Sequence, residues 1–304
     1  MLWFRNAIFY RFEPSPGFTP EYVTEALSQH PFSPCGSQEL SRSGWSAPVR
    51  EADEMLVFSS NGFMLINLLQ EERILPGSVV REALDERIAI IEAEQSRKVY
   101  RKEKLQLKDE VILDLLPRSF TRRRHTHALL MPQQGWLLVD ASSHKRAEDL
   151  LNQLRQALGS LKVQLVQTQV QADKIMTAWV RGESMPHGWA LEDECELRDP
   201  MTEGSKISIK GQELLCDEIG AHIETGMLVK RLALEWQQQI RLVLHEDLSL
   251  HRLRLCDEYR DQLEADTPEE ALAARDTELA RMGLEYARLL PELIEAFGGE
   301  HVQH

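Results

Sequence analysis

Aromatic and branched side chains crowd the opening segment LWFRNAIFYRF, which predicts a strand, and the following PEYVTEALSQH has the spacing of a helix. Two apolar runs, MLVF and FMLINLLQ, are then separated by SSNG, where Asn61 and Gly62 are the residues a tight hairpin turn favours. THALLM, the turn PQQG and WLLVDA predict a second hairpin, followed by a helix from about His144 to Leu158 and a strand in LKVQLVQTQV. Between the hairpins the period changes. Val80, Leu84, Ile88 and Ile91 recur every three or four residues, which is one face of a helix. Helical from Ser78 to Lys98, this arm would be about 31 Å long at the usual rise per residue. A second helix near Leu107 to Leu116 should stop before Pro117, because the residue preceding a proline avoids helical geometry.

The final third opens on the strand-like WALEDECELRD and KISIKGQEL. A helix across LLCDEIGAHIETG should end at Gly226, a residue suited to the left-handed cap. LVKRLALEW, QQIRLVLHE and SLHRLRLCDEY predict three antiparallel strands, with Arg252 and Arg254 on one face of the last, and a helix fills about Pro268 to Phe297. Strand pairs with intervening helices and no repeated βαβ unit give an α+β fold class: antiparallel sheets, flanking helices and a projecting helical tip.

A chain of 304 residues with 42% hydrophobic content can bury a real core. Arg5 and Arg11 interrupt the apolar N-terminus, which lacks the layout of a signal peptide, and no stretch approaches the roughly 18 uncharged residues that span a bilayer. A cytoplasmic location without membrane attachment is expected. Cys35, Cys195, Cys216 and Cys256 are far apart and form no CxxC pair, so four reduced thiols are expected rather than disulfides or a zinc ribbon. His125 and His127 would share one face of a strand, but no acidic or cysteine companion accompanies them, and no metal site is expected.

Charge changes the picture most. From Arg97 to His127 ten cationic side chains face four anionic ones, a net +6 inside a chain of formal charge −14. A charge run is often only a solvated helix face. An acidic protein that gathers its positive charge, with Tyr100 and Phe120 interleaved, is nonetheless arranged to attract a polyanion at one place and repel it elsewhere. Arginine outnumbers lysine 25 to 10, and its guanidinium can fork two hydrogen bonds onto a phosphate. Phe120 among arginines either packs under the helical arm or contacts another subunit. Catalytic signatures are missing: there is no GxxxxGK[ST] loop, no lysine has Asp or Glu two positions before it, and HExxH and GxSxG do not occur. No cofactor and no catalytic residue is therefore expected, although the many carboxylates leave a two-metal cluster open.

Several segments together resemble the bacterial recombination-associated RdgC family over essentially the full length. They are MLWFRN with Tyr10 and Arg11, FSPCGSQ (32–38) with Gly44 and Trp45, ILP (74–76), IEAEQSRK (91–98) and LKDEVILDLLPRSF (107–120). AED (147–149), LGSL (158–161), EDECEL (192–197) and LALEWQQQI (232–240) continue the match. The resemblance implies a horseshoe-shaped subunit with a central region (1–76 and 119–180), a helical tip (77–118) and a base region (181–304), closing as a homodimer into a ring around double-stranded DNA. It also implies sequence-independent binding, association with the nucleoid, and restraint of RecA-promoted recombination by occupying DNA, with no direct contact to RecA required. Basic residues expected at DNA are Arg97, Lys98, Arg101, Lys102, Lys104, Arg118, Arg122, Arg123 and Arg124. The family's tip contact falls on Phe120, and its basic loop in the base region falls on Lys210 and Gln212, with Gly211 where another lysine is usual. Two other classes stay open: a structure-specific nuclease or other DNA-processing enzyme, and an acidic inhibitor that binds RecA directly.

Overall fold

Apolar side chains gather on two antiparallel sheets and, among the described residues, eight helices, so the fold class is α+β as the pattern predicts. The structure is a computed structural model that describes residues 2–202 and 204–301. The first half of the chain forms β1 (Ile8–Glu13), α1 (Pro20–Ser28), β2 (Ser41–Ser46), β3 (Val57–Ser60), β4 (Phe63–Arg73), α2 (Gly77–Gln95), α3 (Arg101–Leu115), β5 (Thr121–Met131), β6 (Trp136–Val139) and α4 (His144–Leu158). The second half forms β7 (Lys162–Leu165), α5 (Ala172–Val180), β8 (Trp189–Arg198), β9 (Lys206–Lys210), α6 (Asp217–Glu224), β10 (Leu228–Trp236), β11 (Ile240–His245), β12 (Leu250–Leu255), α7 (Asp257–Ala265) and α8 (Ala271–Ala296). One sheet has the order β2-β4-β5-β6-β1-β7 with β3 beside β4, and the other β12-β11-β10-β8-β9. Contacts divide the chain into two units, Met1–Leu27 with Ala47–Asn67 and Thr126–His304, and Ser28–Ser46 with Leu68–His125.

In the larger unit, Asn61 and Gly62 have φ of 50° and 80°, the pair of left-handed residues that a two-residue hairpin needs, and Ser60 pairs with Phe63 across the turn. Leu232, Leu234 and Trp236 of β10 are fully buried in a core that also takes Phe63, Leu65 and Trp136 from the first sheet. Helix α8 seals this core with Leu279, Met282, Tyr286, Leu289 and Leu293, spaced by three and four residues. Gly283 makes that approach possible, since a Cβ there would lie 2.3 Å from the Phe63 ring. Helix α6 closes as expected: Gly226, at φ 97°, donates its N–H to the Ile223 carbonyl. Three elements depart from the pattern. Strand β7 keeps only Lys162–Leu165 of the predicted LKVQLVQTQV, α5 follows it unannounced, and DEY of SLHRLRLCDEY opens α7 instead of extending β12.

The smaller unit is built on the helical hairpin that the period predicted. Ile88, Val99 and Leu107 form its apolar seam, with Leu84 and Ile91 packed against it. Arg87 of α2 reaches Glu110 (3.9 Å) and Asp114 (3.7 Å) of α3 across the arms. Helix α3 starts at Arg101, earlier than the predicted Leu107, because its first two turns carry charge and no apolar stripe to read. It closes through Leu116–Arg118, and the Leu116 carbonyl accepts from the Ser119 N–H and hydroxyl and from Arg73 Nη1 at 2.9 Å. The same guanidinium donates to the Gly36 carbonyl. Strand β2 enters beside a segment that touches it closely: Trp45 pairs with Pro31, and a Cβ on Gly44 would lie 2.5 Å from the Phe32 Cα.

Candidate nucleic-acid interface

The basic segment occupies three successive environments in the smaller unit. In the turn between the helices, Ser96 adopts the left-handed φ of 49° and leaves Arg97 and Lys98 exposed. Arg97 is not free: it forks onto Glu103 with 2.7 and 2.6 Å bonds and donates to the Gln95 side chain. The Arg97 guanidinium holds the Glu103 carboxyl below its ordinary range. Lys98 has no ion-pair partner among the described residues.

Helix α3 comes next. Arg101, Lys102 and Lys104 lie in its first four residues, and Glu103, the acid among them, is committed to Arg97. Arg101, Lys104 and Lys108 follow at spacings of three and four and share one side of the helix. All four cations are exposed and without ion-pair partners among the described residues, as is Arg118 at the far end. The N-terminus of a helix already presents a partial positive charge, so cations there are held against the dipole. That arrangement costs stability in the free protein and is relieved by an anion, which the amide groups and the side chains would attract together. Tyr100, 74% exposed, stands immediately before it. Lys108 belongs to this group although it was not among the residues expected at DNA; the i, i+3, i+7 spacing from Arg101 is the signal that finds it.

Arg122, Arg123 and Arg124 lie in β5 itself, which begins at Thr121, so they alternate between its faces rather than forming a loop. Arg122 bonds Glu72 through Nε at 2.9 Å, and Arg124 approaches the same carboxylate at 3.8 Å. Arg123 bonds Glu71 at 2.8 Å, with its guanidinium 5.5 Å from the Phe32 ring centre. Glu71 is buried, accepts from the Cys35 N–H, and is held below its ordinary range chiefly by Arg123. Two carboxylates thus offset two of the three guanidinium charges, Arg122 and Arg124 sharing Glu72. Phe120, just before them, is 84% exposed; its carbonyl accepts from the Ile74 N–H, which fixes the backbone and leaves the ring in solvent.

Lys210 and Gln212 fall in the larger unit at the end of β9. Lys210 lies 3.4 Å from Glu194, which also holds Arg252 at 2.7 Å, and Gln212 donates to the Cys216 sulfur at 3.7 Å. Gly211 has φ of 71°, a conformation that strains any side chain, although the space around it is open. Neighbouring Arg254 of β12 is exposed and has no ion-pair partner among the described residues.

The larger unit also brings Ser249, Asp247, His251 and His144 together. The Ser249 hydroxyl donates to Asp247 and stands 2.9 Å from His251 Nε2, while His144 reaches the other Asp247 oxygen at 2.8 Å. With its one proton on Asp247, the hydroxyl must accept from His251, so the ring is not placed as its base. Ser249 is also only 3% exposed, and burial holds both His251 and its stacking partner His245 below their usual pKa, His245 at about 4. Among the described residues, no three His, Cys, Asp or Glu side chains are disposed to hold a metal ion, and no helix is long and apolar enough to cross a membrane.

A family model described as "Putative exonuclease, RdgC" matches residues 2–300. Curated relatives carry the name recombination-associated protein RdgC. The one from Pseudomonas syringae is 45% identical over 302 residues, 99% of each chain. One from Pseudomonas aeruginosa is 44% identical over 302 residues, again 99% of each, and one from Enterobacter is 41% identical over 300 residues and 99% of each. With a fold of the expected class and a match that runs from end to end, the chain belongs to the RdgC family of recombination-associated proteins.

Proposed function

We propose that this protein binds double-stranded DNA through its phosphates, without sequence preference and without catalysis, and restrains RecA-promoted strand exchange by occupying the DNA. The observation that carries the reading is the cluster of Arg101, Lys102, Lys104 and Lys108 on α3, without ion-pair partners among the described residues and with Arg101 and Lys102 set against the helix dipole, in a chain of net charge −14. Lys98 and Arg118 extend it, whereas Arg97, Arg122, Arg123 and Arg124 contribute less because they are engaged by Glu103, Glu71 and Glu72, three charges against four. Lys210 and Gln212 have the same secondary standing, Lys210 being shared with Glu194. Phosphate contacts position a protein on DNA and carry no sequence information, which suits a ligand met at any site. The exposed Phe120 ring supports self-association into a homodimer that closes around the duplex, and a nucleoid-associated, cytoplasmic protein follows from the same reading.

The test compares inhibition of RecA strand exchange with the fraction of DNA bound, for the protein and for a variant with Arg101, Lys102, Lys104 and Lys108 replaced by glutamine. Both should fall in parallel. A variant that no longer binds DNA but inhibits at unchanged concentration would transfer the action to RecA itself. The family description names an exonuclease, so end-labelled duplex incubated with magnesium or manganese tests the enzymatic reading. Shortened strands that disappear when one carboxylate is replaced would establish it in place of ours.

A further inference from the structure

A groove of about 870 Å³ lies in the larger unit between α1, β3 and the start of α8. Met55, Val57, Phe58 and Leu272 give it an apolar lining, and Met55 and Leu272 remain 51% and 39% exposed. Its charged residues are all of one sign: Glu21, Glu25, Glu54, Glu270 and Asp276, with no lysine, arginine or histidine among the lining residues. Two of the five have a local reason. Glu21 sits in the first turn of α1 and Glu270 caps α8, where carboxylates favour the helix dipole. Glu54 and Asp276 have none, and no cation pairs with them among the described residues. Arg275, next to Asp276 in sequence, is not part of the lining and pairs with Glu51 (3.0 Å) and Glu278 (2.7 Å).

We infer that this groove docks a basic amphipathic segment of a partner protein, with apolar side chains on Met55, Phe58 and Leu272 and lysine or arginine against the carboxylate rim. The volume is in the range of a built ligand site, and an apolar floor flanked by helices is the setting in which a helical segment lays its anchors. Charge complementarity decides the occupant. Five carboxylates repel nucleic acid, and a second copy presenting the same groove would bring like charges together. Methionine and leucine at the lip adapt to more than one anchor, which fits a docking site better than a substrate pocket.

The experiment uses the full chain and a fluorescein-labelled helical peptide of leucine and lysine in amphipathic order, with a glutamate-for-lysine twin as the second probe, read by fluorescence anisotropy. The lysine peptide should bind and the glutamate twin should not. Glu54→Lys with Asp276→Lys should weaken binding about tenfold or more, equivalent to about 1.4 kcal/mol. Leu272→Ser should weaken it while leaving charge unchanged. The control reverses two exposed acids away from the groove, Glu224→Lys with Glu258→Lys, and should change affinity less than about twofold. Thermal melts establish that each variant is folded. Equal weakening by the control would reduce the attraction to overall net charge and overturn the inference. A groove variant that sediments as a smaller species than the parent would also overturn it, by assigning the groove to a second copy of this chain.

Discussion

Replacing Arg101, Lys102, Lys104 and Lys108 of α3 by glutamine should remove most of the salt-sensitive affinity for duplex DNA. Six unpaired cations, Lys98, these four and Arg118, would release counterions from about six phosphates, so log K should fall with log salt at a slope near −5.4. Between 50 and 200 mM salt that is about a thousandfold. With four cations gone, the slope should be about −1.8 and the loss over the same range about tenfold. Arg122→Gln with Arg124→Gln should flatten the slope by much less, because Glu72 already offsets one of their two charges. Folding gives an independent check. Arg101 and Lys102 stand in the first turn of α3, where a cation opposes the dipole by about 0.3–1 kcal/mol, so the glutamine variant should be at least as stable as the parent when DNA is absent. The assay is anisotropy of a labelled duplex over a potassium chloride series, beside urea unfolding. If the two variants flatten the slope equally, the pairing with Glu72 does not survive on DNA and our division of the arginines is wrong.

Phe120→Ala should leave the fold's stability unchanged, since the ring is 84% exposed, while lowering self-association and retention on circular DNA; unchanged sedimentation and retention would make the ring a bystander. Gly44→Ala should destabilise the smaller unit by about 1–3 kcal/mol, because the new Cβ would lie 2.5 Å from the Phe32 backbone, and a chemical denaturation curve superposing on the parent's would refute the close approach. His245 is held at about 4 against an ordinary 6.5 by burial and by His251. The unfolded chain therefore takes up this proton first as pH falls, so the associated stability is intact above about 6.5 and is lost progressively toward about 4. Melting temperatures across that window should decline less steeply in His245→Gln, and parallel curves would exclude the histidine as a source.

Elements whose geometry is written locally were legible before the structure. The Asn61–Gly62 turn, the α2 stripe through Val80, Leu84, Ile88 and Ile91, and the Gly226 stop each rest on neighbours within a few positions. The missed α5, ADKIMTAWV, follows a strand-like run without a capping side chain, and its only local sign is the polar pair Asp173 and Lys174 in the first turn. The site was only half legible for a related reason. Charge along the sequence located the basic segment, and the spacing 101, 104, 108 was there to be read. What separates Arg122–Arg124 from Lys102 and Lys104 is the presence of Glu71 and Glu72 on another strand, about fifty positions earlier in sequence. A count over a window cannot contain that partner.

Glu71 and Glu72 also set a ceiling. Three guanidinium groups of the basic segment are engaged by two carboxylates, and Glu71 is buried, so its hold on Arg123 is built into the unit rather than borrowed from the surface. If DNA is the ligand, the protein has been left able to let go. Its grip would then rest on solvated side chains whose contacts form and break one at a time, and the residues that would tighten it are already present, two substitutions away.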